Sequence, residues 1–160
     1  MEGYKRESEL VKKLTKKCYT ITTAESCTGG LLSATIVNVD GASNVLCSAF
    51  VTYANEAKEQ FAGVSHETLE QYGAVSEQTA AEMCLGCTRT AGADLGLSTT
   101  GIAGPGGGTP EKPVGLVYIG CCLHGSVTVE RHIFSGDRTQ VRQQAVQAAL
   151  DLAIRSIDKE

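Results

Sequence analysis

The chain has 160 residues, a net charge of −4, 42% hydrophobic and 20% charged residues, which is one domain's length with enough apolar material to close a core without disulfides or metal ions. The acidic balance excludes a general nucleic-acid-binding face, which needs a basic stripe, and no Trp with only three Phe gives little basis for stacking bases. No apolar run approaches the roughly 18–20 residues of a membrane span, and the mixed-charge opening Met1-Glu-Gly-Tyr-Lys-Arg-Glu7 lacks the apolar centre of a signal peptide, so the expectation is a cytoplasmic protein with no membrane partner.

Glu7 to Cys18 reads as an amphipathic helix, with Leu10, Val11, Leu14 and Cys18 at helical spacing and lysines opposite. The β-branched run Tyr19-Thr-Ile-Thr-Thr23 predicts a strand. It leads through Thr23-Ala-Glu-Ser-Cys-Thr-Gly-Gly30 into the helix-compatible Leu31-Leu-Ser-Ala-Thr-Ile-Val37. Asn38 to Ser43 is turn-rich. Val45 to Tyr53 predicts a long strand, Asn55 a cap for a short helix Glu56–Phe61, and Ser65 a cap for another at Glu67–Tyr72. Gly73 to Ser76 is a loop, and Ser76 starts a helix that runs to about Ala91. Asp94 to Ile102 predicts a buried strand. The Gly- and Pro-dense stretch Gly101 to Pro110 fits no regular element. Val114–Leu123 and Ser126–Phe134 form a predicted hairpin turning at His124-Gly125, and the last helix fits Asp137 to about Ile157.

Helices and strands alternate, then a hairpin and a helix close the chain. This pattern predicts an α/β fold, a three-layer α/β/α sandwich over residues 1–160 with a mixed, mostly parallel sheet, because the hairpin reverses one strand. The seven cysteines are scattered through apolar stretches, which in a cytosolic protein makes most of them small buried hydrophobes. Cys84-Leu-Gly-Cys87 falls inside a predicted helix and no second pair has metal-site spacing, so no metal is expected.

Several residue groups carry possible chemistry. Ser26 stands at a strand-to-helix bend, where a serine serves either as a cap or as a nucleophile. Cys27, Thr28, Gly29 and Gly30 beside it leave room for a substrate and offer successive N–H donors to an oxyanion. None of His66, His124 and His132 is placed by the sequence beside Ser26. Lys58, where a strand turns into a short helix, is an alternative base if desolvation or a neighbouring cation keeps it neutral, and a solvated surface lysine otherwise. Cys27 is a competing nucleophile. The loop Gly101 to Gly108 is either a flexible connection or a cradle for a phosphate. Arg138 and Arg142 stand one turn apart near the start of the last helix, either solvated or holding an anion.

Thr23-Ala-Glu-Ser-Cys-Thr-Gly-Gly30, Val51-Thr-Tyr-Ala-Asn-Glu-Ala-Lys58, Gly73-Ala-Val-Ser76, Thr100-Gly-Ile-Ala-Gly-Pro-Gly-Gly107, Lys112-Pro-Val-Gly115 and Phe134-Ser-Gly-Asp-Arg138 with Val141-Arg142 occur in that order. Together they resemble the CinA C-terminal domain family, whose characterised enzymes are nicotinamide-nucleotide amidohydrolases (the PncC type). The resemblance runs from about Glu7 to Arg155, and without the further N-terminal domain of the larger CinA proteins it implies the stand-alone form. It implies hydrolysis of nicotinamide mononucleotide to nicotinate mononucleotide and ammonia by a serine–lysine dyad, with no cofactor. In this sequence Ser26 matches the nucleophile, Lys58 its base and Arg142 a supporting arginine. Cys27, Thr28, Gly29, Gly30, Tyr53, Thr100, Gly101, Gly104, Gly106 and Arg138 fall in the matched motifs as substrate-binding candidates. The implied partner is a small-molecule nucleotide, and family habit adds a homodimer. Two alternatives stay open: a non-catalytic nucleotide-binding module linked to competence or DNA-damage response, and a serine–lysine amidase acting on another small amide.

Overall fold

A computed structural model describes residues 5–160; residues 1–4, part of the mixed-charge opening segment, lie outside the described residues. The chain order is α1 (Arg6–Lys17), β1 (Ile21–Glu25), α2 (Leu31–Val37), β2 (Leu46–Val51), α3 (Asn55–Ala62), α4 (His66–Tyr72), α5 (Glu77–Ala91), β3 (Leu95–Gly101), β4 (Leu116–Leu123), β5 (Ser126–Ile133) and α6 (Arg138–Asp158), with a 3-10 turn at Ala42–Asn44.

The sheet order is β2-β1-β3-β4-β5. β1 pairs parallel with β2 and β3, while β3/β4 and β4/β5 are antiparallel. Four strands therefore point one way and β4 alone runs against them, so the sheet is mixed in the manner the hairpin implies. β1 is buried at every position and β3 at all but its last, as expected of parallel strands covered on both faces. The edge strand β2 alternates between half-buried and exposed positions.

Each face has its own apolar cluster. On one, Leu10 and Leu14 of α1, Leu32 and Ile36 of α2, and Val141, Ala145, Ala149 and Leu152 of α6 pack on Ile21, Leu97 and Ile119 of the sheet. On the other, Ala62, Val64, Leu69, Met83 and Cys87 from the α3–α5 layer pack over Ala24. The result is a three-layer α/β/α sandwich. Gly86 of α5 leaves no room for a Cβ against the main chain at Ala62, which lets the end of α3 lie close on α5.

Ser65 and Ser76 cap α4 and α5, accepting from the amides of Thr68 and Thr79, and Asp137 caps α6 in a reciprocal arrangement with Gln140. Asn55 is not a cap. The chain leaves β2 in extended conformation through Ala54, whose carbonyl already accepts from the Lys58 amide at 3.1 Å, so Asn55 is the first helical residue. β1 begins and ends two residues later than the β-branched run indicates, because Tyr19 and Thr20 are spent closing α1 and anchoring to Asp94.

Five cysteines are buried, whereas Cys18 and Cys47 are exposed: Cys18 ends α1 in the left-handed conformation and Cys47 sits at a register shift between β1 and β2. Burial raises the thiol pKa values of Cys84 and Cys87, and no cluster of His, Cys, Asp or Glu that could hold a metal occurs among the described residues. No described helix is long and apolar enough to cross a membrane.

Candidate active site

The three parallel strands end along one edge of the sheet, and the segments leaving them build a shallow depression of about 230 Å³. Ser26 follows β1 directly, and its amide donates to the Thr99 carbonyl of β3 at 2.9 Å. The turn after it closes through Gly29 N–H to the Ser26 carbonyl at 3.1 Å and Leu31 N–H to the Thr28 carbonyl at 3.0 Å. Gly29 and Gly30 take φ of 57° and 103°, a region costly for residues with a Cβ, so this sharp exit from the strand depends on glycine.

Lys58 is 1% exposed. Its Nζ lies 3.1 Å from Ser26 Oγ, 2.8 Å from the Thr52 carbonyl and 3.0 Å from the Tyr53 carbonyl. Burial holds its pKa below the usual lysine value, with the neighbouring Cys27 sulfur acting in the opposite sense. The Cys27 thiol is itself pushed up to about 11 by burial, so it is protonated and weakly nucleophilic at neutral pH.

The two arginines have different tasks. Arg142 reaches from α6 to the turn, Nε donating to the Cys27 carbonyl at 3.0 Å and Nη2 to the Thr28 carbonyl at 2.8 Å. Like-charge repulsion from Arg142 is not what lowers the Lys58 pKa; desolvation is. Arg138 closes one side of the depression, donating to the Gly104 carbonyl at 2.9 Å and to the Tyr53 hydroxyl at 3.3 Å.

Of the residues singled out in the sequence, Ser26, Cys27, Tyr53, Gly101, Gly104, Gly106 and Arg138 line the depression, joined by Ile102, Ala103 and Gly107. Thr28, Gly29, Gly30 and Thr100 do not. Thr28 and Thr100 are buried, with their hydroxyls donating to Glu25 and to the Ala74 carbonyl. The Cα hydrogens of Gly29 and Gly30 face Arg142 and Val51. The first amides of α2 are also unavailable to a ligand, because Leu32 and Ser33 N–H donate to the Glu25 carboxylate at 2.8 and 3.0 Å. Among the described residues, the amides of Cys27, Ala103, Gly104, Gly106 and Gly107 make no hydrogen bond to a main-chain carbonyl. The histidines are elsewhere: His66 bonds Glu59 and Glu70, His124 pairs with Glu160, and His132 with Glu130.

Glu25 and Thr52 are the residues that sequence reasoning missed. Glu25 is six residues ahead of α2, outside the spacing of a local cap, and Thr52 acts through its carbonyl, which carries no side-chain signature.

The profile described as CinA C-terminal domain matches residues 4–157. A relative from Alkaliphilus metalliredigens is 54% identical over 153 residues, and the CinA-like protein of Kosmotoga olearia is 52% identical over 151; these alignments cover 96% and 94% of the chain but 37% of each relative. The chain thus spans little more than a third of the curated relatives it matches. Among solved structures, a competence-damaged protein (CinA) superfamily protein from Klebsiella pneumoniae superposes with a TM-score of 0.93 at 33% identity, covering 97% of both chains. The competence/damage inducible protein CihA of Agrobacterium tumefaciens gives 0.90 at 38% identity, also covering 97% of both.

Proposed function

The chain belongs to the CinA C-terminal domain family, and from that premise we propose that it hydrolyses the carboxamide of nicotinamide mononucleotide to nicotinate mononucleotide and ammonia, with Ser26 as nucleophile and Lys58 as its base. One observation carries the reading: a lysine 1% exposed whose Nζ lies 3.1 Å from a serine hydroxyl at the edge of a depression.

The surroundings of Lys58 fit the neutral amine. In the neutral amine the Thr52 and Tyr53 carbonyls take its two N–H bonds, and the lone pair is what remains for the Ser26 hydroxyl 3.1 Å away. The Ser26 proton passes to Nζ as Oγ bonds to the carboxamide carbon. The C–N bond then breaks, the proton returns to the leaving ammonia, and a nicotinyl ester remains on Ser26. Water adds to this ester by the same route, giving up a proton to Lys58 and releasing the carboxylate as Oγ is reprotonated. The Cys27 amide, which makes no main-chain hydrogen bond, is the donor offered to the oxyanion. A donor of this kind typically contributes about 10²–10³ in rate. Because Glu25 occupies the first amides of α2, that helix terminus has no part in the step.

Tyr53, 61% exposed, offers a ring at the mouth, and Arg138 with the amides of Ala103, Gly104, Gly106 and Gly107, which make no main-chain bond, offers donors to the ribose phosphate. Arg142 holds the Cys27 and Thr28 carbonyls and so the orientation of the turn. The chemistry needs no metal ion or cofactor, and the setting is the cytoplasm. Incubation with nicotinamide mononucleotide, following ammonia and nicotinate mononucleotide together, tests this reading. Binding of the nucleotide without either product would instead favour a non-catalytic binding module.

A further inference from the structure

Glu25 is 0% exposed and every bond on its carboxylate is one it accepts. Oε1 receives the Thr28 hydroxyl at 2.6 Å and the Leu32 amide at 2.8 Å; Oε2 receives the Ser33 amide at 3.0 Å and the Thr23 hydroxyl at 3.5 Å. It does not line the depression, so it meets no substrate. Its bonds instead surround the turn that carries Ser26.

The proton order follows from these contacts. Thr28 has one hydroxyl proton and gives it to Glu25, so the 2.7 Å contact between Thr28 Oγ1 and Thr99 Oγ1 has Thr99 as donor. Thr99 also accepts the Ser26 amide on its carbonyl. One β3 residue therefore holds Ser26 by its main chain and Thr28 by its side chain, with the hydroxyls ordered toward Glu25. On the outer side, Arg142 draws on the Cys27 and Thr28 carbonyls. The turn is thus clamped between an acidic group beneath and a basic group above.

We propose that Glu25 is a positioning residue for Ser26: its carboxylate locks the turn through Thr28, Leu32 and Ser33, and so holds Oγ in line with Lys58. This inference rests on the reading of Ser26 as the nucleophile. A Gln at position 25 keeps the shape but presents an NH₂ to at least one of these donors, which leaves a buried N–H or O–H facing another donor. The turn then relaxes, and small displacements of a reacting group are costly.

The test is phosphonylation of Ser26 by a fluorophosphonate, in which the Oγ–P bond forms, fluoride leaves and the serine proton passes to Lys58. The rate constant reports the geometry of each folded molecule, and the amplitude reports the active fraction. Thermal unfolding is measured alongside. Glu25→Gln is expected to slow labelling about 10- to 100-fold, with Thr28→Val slowed in the same direction and Thr28→Ser, which keeps the hydroxyl, within about twofold of wild type. Wild-type rate constants in both Glu25→Gln and Thr28→Val, with only lower amplitude or melting temperature, would overturn the inference and leave Glu25 a stabilising cap. If Glu25→Gln does not fold, the contrast between Thr28→Val and Thr28→Ser decides alone. Failure to label Ser26 in the wild type overturns the nucleophile assignment itself, and this inference with it.

Discussion

Lys58 Nζ and Ser26 Oγ are 3.1 Å apart although 32 residues separate them in the chain. The strand order β2-β1-β3 makes the meeting possible: β1 and β2 are adjacent and parallel, so the turn after one and the helix after the other leave the same edge of the sheet, where open α/β sheets gather their sites. The Thr52 and Tyr53 carbonyls then fix Nζ from behind.

Replacing Lys58 by Met keeps the length and apolar stem while removing the proposed base. Ammonia release from nicotinamide mononucleotide is expected to fall about 10²–10⁴-fold. The substitution leaves the Thr52 and Tyr53 carbonyls without their donor, at a cost of about 1–3 kcal/mol, so a thermal melt should show a folded protein of modestly lower stability. An unchanged rate would remove Lys58 from the mechanism.

The lowered pKa of Lys58, caused first by burial, sets a pH dependence. In the proposed mechanism the neutral amine is the active form, so kcat/KM is expected to rise with pH through the depressed pKa and to level off below the ordinary value of 10.5. Stability follows the same sign. Between the depressed folded pKa and the unfolded value the unfolded chain binds more protons, so the Lys58 contribution improves as pH rises across that window and is least favourable below it. Rate and denaturation profiles of wild type and Lys58→Met check both; the variant should lose this component of the slope.

Cys27 lies beside the proposed nucleophile, yet burial pushes its thiol up to about 11. At pH 7 iodoacetamide is expected to alkylate the exposed Cys18 and Cys47 and to leave Cys27 unmodified, as read by peptide mass spectrometry. Cys27→Ala should retain activity within about tenfold, since its amide and carbonyl contacts are main-chain. Rapid alkylation of Cys27 with loss of activity would make it the better nucleophile.

Arg138 and Arg142 should separate kinetically. Arg138 lines the depression and bonds the Gly104 carbonyl and the Tyr53 hydroxyl, so Arg138→Ala is expected to raise KM about 10-fold or more with kcat little changed, the signature of lost uniform binding. Arg142 holds the turn instead, and Arg142→Gln should lower kcat with a smaller change in KM. Steady-state kinetics on the two variants tests the division.

Local chemistry was legible in the sequence. Ser65 and Ser76 cap the helices they precede, and the hairpin turns at His124-Gly125, both at positive φ. The glycine pair after Ser26 marks a sharp turn. Such features depend on neighbours within a few residues. What stayed hidden depends on partners brought together by the sheet. Thr28 and Thr100 sit in matched motifs, but their side chains serve the interior because Thr99 and the Ala74 carbonyl wait there. Glu25 reads locally as an unremarkable acidic residue, and its role appears only once α2 folds back so that its first amides meet the carboxylate. Asn55 fits the composition of a cap, but the extended exit from β2 puts Ala54 in that position.

The most direct measurement is ammonia and nicotinate mononucleotide formation from nicotinamide mononucleotide by wild type and Ser26→Ala side by side, with folding of both verified by circular dichroism. Turnover by the wild type and its loss in Ser26→Ala by about 10³-fold or more is the predicted result. Turnover at the wild-type rate in Ser26→Ala would contradict the account.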